Sequence, residues 1–398
     1  MNILKKKPKP EVKNNVLLGK GNWAFLFQGH QHQFDYLMGE KKVSSSDVEN
    51  FVGNIASRTA YFDSTAIIYK HLVFPSKPIV QKSLLLPPYN NIESVFRRYY
   101  QRPLKAKHLD VLYPLKELRQ KEAQSPTFSK YNTHNSDIGY LEIVNQLCRN
   151  TDIPELPETL FEKTKQPLGG DLSRMLGAND TSKETVLNVV REPRMYRFSN
   201  QPYLPGNTNN VFIFHNDESI TPKRLLIFGD SFFQGAIRFL RLLFSDILFV
   251  RSTFVHRDMV EQYQPDVVFT GNAERYLARV KSDTEANHFM LALYGEPRFA
   301  PNKHYLNALQ AMMSYRYYPH LYQQWLESIR NAAHVNAIGN SPAVNNPSIL
   351  HDVAVYFEKE GDPDTALKIM KEAKRLRPDN PSFATKYNEY LNETTKWR

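Results

Sequence analysis

The sequence predicts an α/β fold: a parallel sheet covered by helices on both faces in three layers, followed by a helical C-terminal region. Three observations carry this expectation. Between Val211 and Val280 short apolar runs alternate with stretches of helical periodicity. The apolar run Arg224–Phe228 opens directly onto Gly229-Asp230-Ser231, after which Phe233, Ile237, Leu240 and Phe244 recur at helical spacing. The last third of the chain has helical patterning and no strand signal.

The elements follow in order. Lys5, Lys6, Lys7 and Lys9 with Pro8 and Pro10 give residues 1–15 the character of a basic tail. Gly21–Phe27 alternates like a strand. Asp47–Ala60 reads as a helix capped by one of Ser44, Ser45 or Ser46. Ala66–Phe74 reads as a buried strand ended by Pro75-Ser76-Lys77-Pro78, and Leu109–Leu112 as a short one. Pro114 opens a helix to Lys121. A polar loop, Ser125–Asp137, leads into a helix ending near Arg149. Residues 150–210 are Pro-rich and read as an insertion of loops and short helices, with a helical piece at Asp171–Leu176. Then come strands at Val211–Phe214, Arg224–Phe228, Asp246–Val250 and Pro265–Phe269, with helices after Ser231, at Arg257–Tyr263 and at Ala273–Val280. Residues 16–290 thus form one domain and 291–398 a helical region. Within that region, Pro347, Ala354, Phe357, Ala366, Met370, Ala373 and Pro378 fall at the small, aromatic and Pro positions of one tetratricopeptide-like unit, 347–380. One such unit cannot bury its own face. It is expected to pack on the helices of 303–335 or to cap the main domain.

Composition narrows the function classes. With 398 residues, a main domain plus a small appendage is expected. Hydrophobic residues make up 41% of the chain, enough for a real core, which excludes global disorder. The net charge of +10 favours anionic partners. Basic residues are not interleaved with aromatics on one element, so nucleic acid is not expected as a partner. The single cysteine, Cys148, excludes an intramolecular disulfide and a multi-thiolate zinc site, and it reads as a buried apolar residue. No apolar core follows the N-terminal lysines and no run of 18 apolar residues occurs. A cytoplasmic chain without a transmembrane segment is therefore expected, possibly peripheral to the inner membrane face.

A Ser at the carboxyl end of a parallel strand, opening a helix, sits where α/β proteins bind ligands. Its backbone N–H lies at the positive end of the helix, which suits an oxyanion. Ser231 is thus a candidate nucleophile, the alternative being that Asp230 or Ser231 serves only as a helix cap. A serine nucleophile needs a base. His134 stands out among the twelve histidines because its loop, Tyr131-Asn132-Thr133-His134-Asn135, is polar and leads into a helix. His30, His32 and His256 have weaker surroundings.

Several segments, in this order, resemble the alginate O-acetyltransferase-like (AlgX/AlgJ-type) family of SGNH hydrolases. They are Gly21–Phe27, Leu72–Lys77, Tyr131–Gly139, Gly170-Asp171-Leu172 through Leu176, Gly229-Asp230-Ser231-Phe232 and Glu274–Leu277. The resemblance spans about residues 20–280. It implies a flavodoxin-like SGNH sheet, circularly permuted so that the His loop precedes the serine block. It further implies Ser231 as nucleophile and His134 as general base, with Asn132 in the place of the family's acid. Asn can orient the imidazole but cannot stabilise imidazolium by charge. Asn135 replaces the family's Trp, which should alter the pocket wall. Asn272 is placed where such enzymes donate to the oxyanion, a helix cap being the alternative, and Gly229 and Asp230 are grouped with it as oxyanion or substrate-binding residues. The implied activity is transfer of an acetyl group to a hydroxyl of a bacterial surface polysaccharide or its precursor. With no export signal in the sequence, the donor expected is acetyl-CoA met inside the cell, with no bound cofactor or metal; the basic charge suits an acidic acceptor glycan, and the tetratricopeptide-like tail is expected to meet a protein partner. An esterase of the same fold and a catalytically degenerate glycan-binding scaffold are the alternatives.

Overall fold

The computed structural model describes residues 10–29, 31–177, 183–201, 210–286, 303–315, 318–334, 347–359 and 362–396. The chain divides into two compact units. One comprises residues 1–199 and 206–295, the other residues 200–205 and 296–398.

The first unit opens with a three-stranded antiparallel sheet, β1 (Glu11–Lys13), β2 (Val16–Leu18) and β3 (Ala24–Leu26). Residues 11–13, expected within the basic tail, are thus an edge strand, and residues 1–9 lie outside the described residues. The central sheet has six strands. They are β4 (Ile68–Phe74), β7 (Met195–Ser199), β8 (Val211–Asn216), β9 (Thr221–Gly229), β10 (Phe244–Val250) and β11 (Val267–Ala273), in the spatial order β4-β11-β9-β10-β8-β7. The first four in that order are mutually parallel, as expected. β8 pairs antiparallel with both β10 and β7, so the sheet is mixed rather than wholly parallel. The cause is visible in the chain. β8 ends at Asn216 and β9 starts at Thr221, and so short a connection can only reverse direction. A parallel crossover needs a dozen residues or more.

Parallel strands bury both faces and therefore read as continuous apolar runs. Leu225, Leu226, Ile227 and Phe228 of β9 and Ile247, Leu248, Phe249 and Val250 of β10 are all buried. The helix Ser231–Leu243 packs on one face through Phe233, Ile237, Leu240 and Leu243. Helix Asp137–Arg149 lies against it, tied by the Arg238–Asp137 ion pair at 2.7 Å. The opposite face carries helix Ser45–Asp63, whose N-cap is Ser44, accepting from Asp47 N. Helices also form at Leu115–Glu122 and Arg257–Tyr263. The expected strand at Leu109–Leu112 is reduced to one bridge, Leu72 to Leu112, and the expected helix Ala273–Val280 is a short 3-10 turn, Glu274–Ala278.

Residues 150–210 depart from the expectation of loops and short helices. An antiparallel ribbon forms from β5 (Phe161–Pro167) and β6 (Lys183–Val189), and β7 joins the main sheet. Between the ribbon strands lies the short helix Asp171–Leu176, as expected. Cys148 is buried within the Asp137–Arg149 helix, and burial pushes its thiol up to about 12.

The second unit is helical: Lys303–Met313, Pro319–His334, Pro347–Lys359, Pro363–Leu376 and Pro381–Lys396. The last three share a core of Leu350, Ala354, Ala366, Ile369, Met370, Ala373, Phe383 and Tyr390. The small residues singled out in the sequence are therefore the ones that let the first pair approach closely. Their expected cover was residues 303–335 or the main domain. In the structure, Phe383 and Tyr390 of the following helix close that core.

Candidate active site

Four parallel strands end at one edge of the main sheet, and the loops beyond them assemble the site. β9 runs into Gly229-Asp230 and the Ser231 helix, while β4, β10 and β11 are followed by Lys77, Arg251 and Arg275. β4 and β11 approach closely there. A Cβ at Gly271 would lie 2.0 Å from the Leu72 carbonyl oxygen, so only glycine fits.

Asp230 caps the serine helix. Its Oδ1 accepts from Phe232 N at 2.9 Å and its Oδ2 from Ala273 N at 2.8 Å, which pins the turn to the end of β11. Burial raises the Asp230 pKa, against the pull of those two N–H groups and of Arg275. The expectation that Gly229 and Asp230 bind substrate or oxyanion is corrected. Asp230 is buried with both oxygens committed to backbone donors, and a carboxylate cannot donate to an oxyanion. Gly229 is the last residue of β9, paired with Gly271 and packed against Phe233. The Ser231 N–H, by contrast, has no protein acceptor among the described residues and points out from the helix start.

Ser231 Oγ lies 3.0 Å from His134 Nε2. On the far side of the ring, Asn132 Oδ1 lies 2.9 Å from His134 Nδ1 and also accepts from His134 N at 3.0 Å. That backbone donor can be met only by the amide oxygen, which fixes the Asn132 rotamer. Nδ1 must then carry the proton, and the Nε2 lone pair faces the serine hydroxyl. The imidazole packs on Phe232, with ring centroids 4.7 Å apart. Burial pushes the His134 pKa down to about 4, opposed by Asp171 and reinforced by Arg275 and Arg251. The ring is therefore neutral at pH 7, the form a base requires.

The His134 loop is held from below by Lys77. Its buried ammonium donates to the carbonyls of Ser129, Lys130 and Asn132 at 2.6, 2.8 and 3.0 Å, and it lies 5.4 Å from the rings of Trp23 and Phe25. Burial pulls Lys77 down to about 7, and only its protonated form supplies all three donors. Asn135 is also buried and donates to Thr127 O at 3.2 Å. It braces the loop from inside rather than altering a pocket wall.

The other sequence candidates are placed elsewhere. Asn272 lies one residue past Gly271 on β11, and its amide donates to Ala273 O at 3.0 Å. It caps no helix, and its second amide hydrogen has no acceptor among the described residues. His32 is half-exposed and bonds Gln28, while His256 contacts Ser252. His30 lies outside the described residues. Among the described residues, no group of three or more His, Cys, Asp or Glu is placed to hold a metal ion.

Three charged groups at the site were not singled out from sequence. Asp171 Oδ2 lies 3.9 Å from His134 Nδ1. Arg275 sits 5.1 Å over the Phe232 ring. It lines an open depression of about 290 Å³ with Gln33, Lys77, Thr133, Phe232 and Ala273. Arg251 follows β10 directly. Asp171 and Arg275 belong to segments that carried the family resemblance. Arg251 had only its position after an apolar run to mark it.

No family model matches the chain, and no curated protein matches it. Among solved structures it is similar to a DHHW family protein from Eubacterium siraeum DSM 15702, at 10% identity over 68% of this chain and 94% of that one, TM-score 0.48. It is also similar to PatB1 of Bacillus cereus, at 12% identity over 68% and 97%, TM-score 0.47. The O-acetyltransferase domain of Pseudomonas putida AlgJ is similar to this chain at 13% identity over 72% and 98%, TM-score 0.43.

Proposed function

We propose that the chain is a serine-dependent O-acetyltransferase of the SGNH type, circularly permuted. It moves an acetyl group to a hydroxyl of a bacterial capsular or exopolysaccharide glycan or its precursor. The observation that supports this best is the unbroken line from Asn132 Oδ1 through the His134 ring to Ser231 Oγ, at 2.9 and 3.0 Å, beside a free helix-start N–H.

The proposed reaction has two steps. Ser231 Oγ gives its proton to His134 Nε2 and attacks the carbonyl carbon of the acetyl donor. The oxyanion is met by the Ser231 N–H and by the second amide hydrogen of Asn272. The leaving thiolate of acetyl-CoA, the donor we propose, takes the proton from the imidazolium and leaves an acetyl-serine. A sugar hydroxyl then gives its proton to Nε2 and attacks the acetyl carbon. Ser231 Oγ departs and recovers that proton. An acidic acceptor suits Arg251 and Arg275, neither of which is within ion-pair distance of a carboxylate among the described residues. The compartment proposed is the cytoplasm, where this donor occurs. No helix among the described residues is long and apolar enough to cross a membrane. The tetratricopeptide-like pair Pro347–Leu376 is the part proposed to meet a protein partner.

The test is acetyl transfer from acetyl-CoA to a panel of acidic capsule polysaccharides, wild type against Ser231→Ala, with product followed by NMR. Transfer that falls by at least about a thousandfold in the variant supports the reading. Hydrolysis of the acetyl group that outpaces transfer would make the chain an esterase instead. Neither transfer nor hydrolysis in the wild type would overturn the enzymatic reading and leave a glycan-binding scaffold.

A further inference from the structure

Asn132 leaves the imidazole without a directly bonded carboxylate. A carboxylate nevertheless stands close by, on a different element. Asp171 opens the short helix Asp171–Leu176, and its Oδ2 lies 3.9 Å from His134 Nδ1, too long for a hydrogen bond and short for a charge. It is held there firmly. Asp171 Oδ1 accepts from Thr133 N at 2.8 Å, and Oδ2 accepts from the Thr133 hydroxyl. The Thr133 hydroxyl lies in turn 3.4 Å from His134 Nδ1. The segment behind Asp171 is locked onto the same loop. Leu172 N and Ser173 N both donate to Tyr131 O, at 3.1 and 3.3 Å. A Cβ at Gly170 would lie 1.9 Å from that oxygen, so the approach needs glycine.

We propose that His134 has a divided partner: Asn132 fixes the ring and its tautomer, while Asp171 supplies the negative charge that holds the imidazolium as Ser231 gives up its proton. The inference rests on the reading of Ser231 and His134 given above. Asp171 acts through His134 and is thus a positioning residue. The groups around the ring are Asn132 and Thr133 from its own loop, Ser231 and Phe232 from the serine helix with Asp230 at its cap, Lys77 beneath the loop, and Arg251 and Arg275 beyond β10 and β11. Burial and the two arginines oppose a charged ring, and Asp171 favours it. A carboxylate at this range shifts a neighbouring titration by about one to three units.

The test follows His134 by NMR in histidine-labelled full-length protein, together with kcat and KM for acetyl transfer across pH. The variants are Asp171→Asn, Asn132→Asp and both together. Asn at 171 keeps an acceptor for Thr133 N–H and a donor for the Thr133 hydroxyl, so the loop stays tied while the charge goes. Asp171→Asn should lower the His134 midpoint by about one unit or more and kcat about tenfold or more, with KM unchanged. In the Asn132→Asp background, where a bonded carboxylate raises the midpoint into an accessible range, Asp171→Asn should move kcat little. A midpoint and kcat that Asp171→Asn leaves unmoved would overturn the proposal and make Asp171 a loop tie only. Asn132→Asp carries the test even if Asp171→Asn fails to fold. A gain in kcat below about tenfold is expected, because the charge is already present. A gain of about a hundredfold or more would mean that the wild type lacks it. The two readings fail separately: turnover with an unmoved midpoint sinks the divided partner, whereas a moved midpoint without turnover sinks the transferase.

Discussion

Two histidines at opposite ends of the main sheet, His134 half-buried and His215 buried, show how surroundings decide what an imidazole does. His134 lies beyond the carboxyl ends of the parallel strands, bonded on one side to a neutral amide and on the other to a serine hydroxyl. His215 lies at the amino ends, on β8 beside Asp246 of β10. Its Nδ1 is 2.8 Å from Asp246 Oδ1 and its Nε2 is 3.0 Å from Asp217 Oδ1. Arg224 holds the other Asp246 oxygen at 3.1 Å. Burial works against charge at both sites. At His215 the hydrogen bonds and charges of Asp246 and Asp217 outweigh it and raise the pKa. Each ring nitrogen faces a carboxylate oxygen, which can only accept, so neither offers a lone pair to a substrate. At His134 burial prevails. A ring between two carboxylates is a structural cation; a ring between an amide and a hydroxyl is a base.

The largest effect that would break this contrast is on activity. His134→Ala should lower acetyl transfer at least about a thousandfold, whereas His215→Gln should change kcat by less than about threefold in protein that remains folded. Steady-state rates at fixed pH, with folding checked by circular dichroism, decide this. On stability the order reverses. Asp246→Ala takes from Arg224 and His215 the buried carboxylate they share and should cost about 3–5 kcal/mol in urea unfolding, far more than His134→Ala. Lys77→Met stands between the two. It strips donors from Ser129, Lys130 and Asn132, and should cost about 2 kcal/mol or more while lowering activity through the displaced loop.

The pH dependence of stability should carry opposite signs at the two rings. The folded pKa of His215 is raised, so its contribution is full below its ordinary value and fades as pH rises through the raised one. The folded pKa of His134 is lowered to about 4. The unfolded chain then binds the extra proton, and stability drains as pH falls from about 6.5 towards 4. Urea unfolding across pH should therefore show His134→Gln gaining on wild type as the solution is acidified over that window, and His215→Gln losing most on the acid side. Parallel profiles for the two variants would contradict the contrast. The smallest effect is expected at Cys148. Its buried thiol, pushed up to about 12, should resist thiol reagents in the native state. Cys148→Ala should cost about 1 kcal/mol and leave acetyl transfer unchanged.

The same contrast marks how far the sequence could be read. The strand, turn and helix around Ser231 were legible because an apolar run, a cap and a helical period follow one another without interruption. His134 was legible from its polar loop. Asp171 was not assigned a role, because it stands 38 positions from Thr133 and reaches it only through the close approach of Gly170 to Tyr131. The β5–β6 ribbon escaped notice because Glu162, Lys163, Lys165 and Gln166 keep it mostly exposed, without an apolar alternation. The direction of β8 could have been read. Residues 217–220 are too few for a crossover, and the regular pattern that follows obscured that constraint. The His215 cluster is legible only once β8 and β10 are known to pair, since nothing in the local sequence joins His215 to Asp246.

The most direct measurement is to trap the acyl-enzyme. The protein is mixed with acetyl-CoA or a simple acetyl ester, quenched in acid and digested, and the peptide that holds Gly229-Asp230-Ser231 is read by mass spectrometry. One acetyl group on Ser231, absent from Ser231→Ala and from His134→Ala, is the expected result. Turnover in wild type without acetyl on Ser231, or an equal acetyl load in either variant, would contradict a serine nucleophile activated by His134.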